Sequence, residues 1–169
     1  MVYLLKEDGS SEEYKEQKIG KYFDVSEPRF QEDIRLYGEV VICDLLFKVL
    51  NRYRDLKGVS VNLNSLNRDR KKQEQLLRDG FRAAKVSPHE YFLAADVDTI
   101  DQADTLKSVP IMRQAAKDLG IKIRIGWQDY LKAGQSFLHV DVCAEYFGKG
   151  KVWNKNSHPV QWEAAGSEW

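Results

Sequence analysis

The sequence predicts an α+β fold, with a small, mainly antiparallel sheet packed against several helices. Three observations carry that expectation. Helical periodicity dominates the early part of the chain, while alternating segments cluster late, at "IKIRIGW" and "SFLHVDVC". The connections are short, with no internal repeat, low-complexity tract or long linker. The 169 residues are expected to form one domain, 1–169, large enough to bury a core without disulfide or metal scaffolding.

The elements follow in order. Residues 1–27 are polar and read as an arm or small ribbon. At "SEPRF", Ser26 is placed to cap a helix and Pro28 suits its first turn. Leu36, Val40, Cys43, Phe47 and Leu50 then recur at helical spacing, and Val41, Ile42, Leu45, Leu46 and Val49 fill most of the other faces. That pattern predicts one central core helix running to about residue 55 and ending before Gly58. "VSVNL" (59–63) alternates and predicts a strand; "NSLNRDRKKQEQLLRDG" predicts a loop and a polar helix stopping at Gly80. Residues 93–97 predict a short strand. Residues 101–119 predict an amphipathic helix with a break or kink at Pro110. The tail, 154–169, is expected to be loosely ordered or to fold over the cleft.

Composition excludes some functions. Lys+Arg and Asp+Glu both number 26, so a net charge of zero offers nucleic acid or an anionic membrane no attraction. No segment approaches the roughly 18 apolar residues of a membrane span. The start of the chain lacks the basic and apolar regions of a secretory signal, so synthesis in the cytoplasm is expected, with release by another agent if the protein acts outside. The two cysteines, Cys43 and Cys143, lie in apolar segments and read as buried free thiols, with one disulfide as the alternative.

The residues that invite chemistry are His89, Asp96 and His139. Two imidazoles and a carboxylate are a ligand set that catalytic zinc accepts, with a fourth position left for water. Strand alternation puts Ala94, Asp96 and Asp98 on one face, and Phe137, His139 and Asp141 on one face of the second strand. Ala95, Val97, Leu138, Val140 and Val142 point the other way. Two such strands side by side would form a metal cleft floored by sheet. On spacing alone, histidines in structural or exposed roles remain the ordinary alternative.

A resemblance narrows this. "SPHEYFLAAD" resembles the S-x-H-x-x-G-x-A-x-D motif of the zinc D-alanyl-D-alanine peptidases, the carboxypeptidases, dipeptidases and phage endolysins that cleave peptidoglycan peptides. Ser87, His89, Ala94 and Asp96 match in register. "SFLHVDV" is similar to the family's second ligand segment, and "VNLNSLNRD", with Ser65 and Arg68, to the segment supplying an active-site arginine. Trp153 falls where related chains often carry a tryptophan; the similarity spans roughly 35–153.

The resemblance implies zinc held by His89, Asp96 and His139, a peptidoglycan stem peptide as substrate, and hydrolysis of a peptide bond. It implies that Arg68 binds substrate and stabilises the oxyanion. Asp141 becomes the first candidate for general base, with orientation of a ligand imidazole as its equal alternative. Asp98, Asp129 and Glu145 rank below it. Ser87 is placed to contact substrate or to shape the turn before Pro88, and Trp127, Tyr130 and Trp153 to line a groove, with core or rim packing the more common role for such residues. His158 ranks last as a fourth ligand. Two positions depart from the pattern: Phe92 stands at the motif glycine, and Ser136 where many members carry a catalytic acid. Ser136 brings the chain closest to a branch resembling murein endopeptidases. The absence of a signal fits a phage-type lysin. An inactive member serving as a binding or phage structural protein is the alternative, and a purely structural metal ranks behind both. The bond cleaved is left open among D-Ala-D-Ala, L-Ala-D-Glu and a cross-bridge.

Overall fold

The region that the periodicity predicts as one long helix is instead a helix, a strand and a second helix. The structure, a computed structural model, describes residues 1–80, 87–147 and 167–168. The chain opens with β1 (Val2–Leu5) and β2 (Ser11–Glu13), an antiparallel hairpin, followed by a small ribbon of β3 (Lys18–Ile19) and β4 (Phe23–Asp24). α1 spans Pro28–Tyr37 with Pro28 in its first turn, as expected, but its N-cap is Glu27. Ser26 instead gives its hydroxyl to Asp24 at 2.6 Å.

Gly38 ends α1 in the left-handed region (φ 79), its N–H bonded to the Ile34 carbonyl. Glycine enters that region without a Cβ penalty. β5 (Val40–Cys43) then pairs in parallel with β1, from Val2 opposite Val40 to Leu5 opposite Cys43. The β-branched run Val40–Ile42 suits a strand, and the open edge of β1 decides the matter. This pairing is non-local, so helical spacing across 36–50 did not reveal it. α2 (Asp44–Lys57) is the core helix expected of this region: Leu45, Leu46, Phe47, Val49, Leu50 and Tyr53 are all buried. Each of the aliphatic and phenylalanine side chains contributes about 1.5–3 kcal/mol by leaving water.

The remaining elements are β6 (Leu63–Ser65), α3 (Arg70–Arg78), β7 (Ala94–Asp98), α4 (Gln102–Leu119), β8 (Arg124–Gly126), α5 (Gln128–Lys132), β9 (Phe137–Asp141), α6 (Cys143–Phe147) and β10 (Ser167–Glu168). The "VSVNL" strand is displaced: pairing with β7 begins only at Leu63, and Val59 is exposed. α4 runs through Pro110 without ending there. The five strands order as β10-β8-β9-β7-β6, every pairing antiparallel, and the fold is α+β. Ala95, Val97, Leu138 and Val140 are fully buried on the core face, within the same apolar cluster as the α2 and α4 side chains. Cys43 and Cys143 are free and buried. Among the described residues no helix is long and apolar enough to cross a membrane.

Candidate metal centre

The register of β7 on β9 sets Ala94 opposite Asp141, Asp96 opposite His139 and Asp98 opposite Phe137. Opposed residues of an antiparallel pair project from the same face. The two faces inferred from alternation therefore meet, and Asp96 faces His139 directly.

His89 arrives from a turn rather than a strand. Residues 88–91 form a single 3-10 turn with Pro88 leading it. Ser87 caps the turn: its hydroxyl accepts the His89 N–H, and the Glu90 carboxylate accepts the Ser87 N–H at 2.7 Å. This reciprocal cap satisfies otherwise orphaned donors. It uses the Ser87 hydroxyl to shape the turn. Phe92 closes the turn at φ 63, the only described non-glycine residue with positive φ. Phe92 thus adopts the backbone angle that glycine takes freely, at a cost of about 1–2 kcal/mol for an L-residue. Phe92 also lines, with Arg68, a cavity of about 600 Å³.

Both imidazoles are tied down at one nitrogen. His89 Nδ1 lies 2.5 Å from the Leu66 carbonyl, which can only accept, so Nδ1 carries the proton and Nε2 keeps its lone pair. That Nε2 is 3.3 Å from Asp96 Oδ1. His139 Nε2 lies 3.1 Å from Asp141 Oδ2, and its Nδ1 lies 3.0 Å from Asp96 Oδ1. Donor atoms of His89, Asp96 and His139 all fall within 4.8 Å of one another. Ligands about 2.0–2.1 Å from a tetrahedral zinc lie roughly 3.3–3.4 Å apart, so the set fits such an ion with small adjustment.

Charge follows the same plan. Burial alone would raise the Asp96 carboxyl; the two imidazoles outweigh it and hold Asp96 well below the usual range. Burial also opposes charge on His139, but hydrogen bonds and charges from Asp141 and Asp96 prevail, and its pKa is pushed up to about 9. His89 is held below its ordinary value by burial, with Asp96 opposing.

Asp141 is sealed. Arg124 Nε reaches both its oxygens at 2.9 and 2.8 Å, Arg124 Nη2 adds an ion pair at 2.8 Å, and the Cys143 N–H donates at 3.0 Å. Both side chains are almost wholly buried. With His139 as a further donor, Asp141 has few lone pairs left to accept a proton. Sequence reasoning missed Arg124. The signal was present: in "IKIRIGW" the arginine takes the polar phase of the alternation, and β8 register puts it opposite Asp141.

Arg68 is brought to the site. Its Nη2 stands 3.8 Å from Asp96 Oδ2, steadied by Ser65 Oγ at 3.2 Å and, through Nη1, by Gln73 at 2.9 Å. Tyr130, on α5, packs its ring 4.1 Å from that of Phe137 on the site face. Burial raises its pKa, Asp96 adds to the rise and Arg68 opposes it, so the phenol stays neutral. Asp98, half-buried on the same face, is raised by burial, with Asn64 opposing and Asp96 adding. Asp129 pairs with Lys132 and Glu145 accepts the Lys122 N–H. Trp127 is buried under the Arg113 guanidinium. Trp153 and His158 lie outside the described residues.

No family model matches the chain, and no curated protein matches it. In structure it is similar to the L-Ala D-Glu endopeptidase ChiX of Serratia marcescens, with a TM-score of 0.52 and 19% identity over 73% of this chain and 96% of that one. At that identity the likeness is one of fold.

Proposed function

We propose that this chain is a zinc-dependent peptidase acting on peptidoglycan stem peptides. The observation that carries the proposal is the convergence of His89 Nε2 and His139 Nδ1 on Asp96, each ring anchored through its other nitrogen. Anchoring of that kind is how proteins present neutral imidazole to a metal. The fold likeness to an endopeptidase of cell-wall peptides supports the substrate class. The bond between L-Ala and D-Glu is therefore the first to test.

Zinc bound there would supply a water acidified toward a pKa of ~7 and a Lewis acid for the scissile carbonyl. The chain's own groups do the rest. Arg68, beside Asp96, stabilises the oxyanion that develops at the attacked carbonyl. Asp141 orients His139 instead of carrying the proton, because Arg124, Cys143 and His139 occupy its oxygens. Proton transfer then falls to Asp98, which shares a face with Asp96 and is less deeply buried. The competing reading, peptide binding without hydrolysis, draws on Ser136: no acid stands there, and its carbonyl is used by the Thr99 N–H.

Incubation of purified cell wall with the protein, with and without chelator, separates the two. New amino termini that vanish with chelator and return with zinc are expected. The Asp98→Asn variant should keep its zinc and lose about 10²–10⁴-fold in rate, the usual worth of acid–base help. Wall binding without any metal-dependent cleavage would leave the binding reading standing.

A further inference from the structure

We infer that Arg29 and Asp33, one turn apart on α1, are positioning residues that fix the His89 tautomer and the reach of Arg68 by clamping residues 64–67, the end of β6 and the loop that follows it. The effect on His89 stands on the hydrogen bonds alone; the effects on metal and catalysis rest on the function proposed above.

The contacts form a continuous chain. Arg29 Nη1 donates to the Asn64 carbonyl at 3.0 Å, and Asp33 Oδ2 accepts the Asn67 N–H at 3.1 Å. Arg29 and Asp33 are themselves ion-paired across one helical turn. The two clamped residues bracket Ser65 and Leu66. Ser65 Oγ accepts from Arg68 Nη2, and the Leu66 carbonyl accepts from His89 Nδ1. A third tether comes from β5: turned to its satisfied orientation, the Asn67 amide donates to the Val41 carbonyl at 3.2 Å and accepts the Val41 N–H at 2.7 Å. Regular pairing with β7 reaches only Ser65, and with a register shift, so the sheet does not hold the rest of the loop.

Stability is a poor explanation for this pair. Asp33 is wholly buried, and burial raises its pKa against the opposing charge of Arg29. Arg29 Nε is buried without a hydrogen-bond partner among the described residues. A buried ion pair with an unsatisfied donor commonly stabilises no better than apolar side chains of similar size. What the pair does provide is two charge-assisted bonds at fixed points of a loop whose one carbonyl decides which nitrogen of His89 faces Asp96. The signal in the sequence was Arg29 and Asp33 at i,i+4 in "PRFQED", a spacing that ordinarily marks a solvated helix face.

The test replaces the pair with apolar side chains, Arg29→Met with Asp33→Leu, which removes the clamp without stranding a charge. Two readouts are taken on folded protein: imidazole ¹⁵N shifts of His89 in metal-free protein at neutral pH, and zinc affinity by chelator competition. The parent should show the Nδ1–H tautomer. The double variant should show a mixture and bind zinc ~10–100-fold more weakly, the range expected for partners of a ligand. Asp33→Asn, which keeps an acceptor for the Asn67 N–H, should rescue both. If the double variant does not fold, Arg29→Lys, which keeps a cation beside Asp33 but loses the guanidinium bond to the Asn64 carbonyl, must move both readouts the same way. A parent-like tautomer and zinc affinity, even with a lowered melting temperature, would reduce the pair to a structural role. A parent that shows the Nδ1–H tautomer but binds no zinc would keep the clamp and remove the metal reading.

Discussion

Asp96 and Asp141 flank the same imidazole and differ in almost everything else. Asp96 accepts from His139 Nδ1 on one oxygen, which also lies 3.3 Å from His89 Nε2, and turns the other toward Arg68 at 3.8 Å. Asp141 takes His139 Nε2 and is otherwise filled by Arg124 and the Cys143 N–H, with its side chain 1% exposed against 11% for Asp96. Two carboxylates on the site face of one sheet are thus given different work by their remaining partners. One retains lone pairs directed at a shared point and is fit to hold a cation. The other is saturated and is fit to hold a ring.

The comparison breaks most visibly at Asp96. Asp96→Ala should weaken zinc binding by more than about a hundredfold, beyond the ~10–100-fold range of a residue that only orients a ligand. Its metal-free melting temperature should fall far less than that of Asp141→Ala. A variant that retains parent-like zinc affinity by chelator competition would put the cation elsewhere.

Asp141 should break differently. Asp141→Ala leaves Arg124 buried and unpaired, and removing one partner of a buried pair costs about 3–5 kcal/mol. Denaturant unfolding of the metal-free protein measures this. A loss below about 1 kcal/mol would mean that Arg124 finds water or another partner.

Protons sharpen the contrast further. With its pKa near 9 instead of 6.5, metal-free His139 is charged at pH 7.5, one N–H toward each carboxylate. Because the folded-state pKa is raised, His139 adds stability that is full below about pH 6.5 and fades as pH rises through 9. Zinc requires the neutral ring, so binding at pH 7.5 should release about one proton from His139, and affinity should climb until about pH 9. Calorimetry in buffers of different ionisation enthalpy counts that proton; none released would mean that His139 is already neutral.

The smallest effect concerns the turn that delivers His89. Phe92→Gly should be more stable than Phe92→Ala by about 1 kcal/mol, because both lose the ring and only glycine loses the strain. Equal unfolding free energies would indicate that the turn relaxes.

The α+β class was legible in the sequence, and so was the meeting of the two strands that carry Asp96 and His139. Asp96 and His139 sit in segments whose period-2 alternation is a local property, and β7–β9 pairing needed only the apolar faces to meet; His89 sits in a turn, and the motif resemblance singled it out. The strand Val40–Cys43 was illegible because its apolar residues also satisfy a helical period, and the strand that claims them lies far away in sequence, with Val2 opposite Val40 and Leu5 opposite Cys43. Arg124 and Asp33 escaped for a related reason: the partner that defines each is distant or is a backbone group. Phe92 was legible as an anomaly, and the structure supplies its meaning as a positive φ.

The central claim is that two imidazoles and one carboxylate hold a divalent cation. The most direct test is anomalous diffraction at the zinc edge from crystals grown with zinc. The account predicts one strong peak about 2 Å from His89 Nε2, Asp96 and His139 Nδ1, with a fourth position open to solvent. Zinc bound away from these three side chains, or no peak at their meeting point, would contradict it.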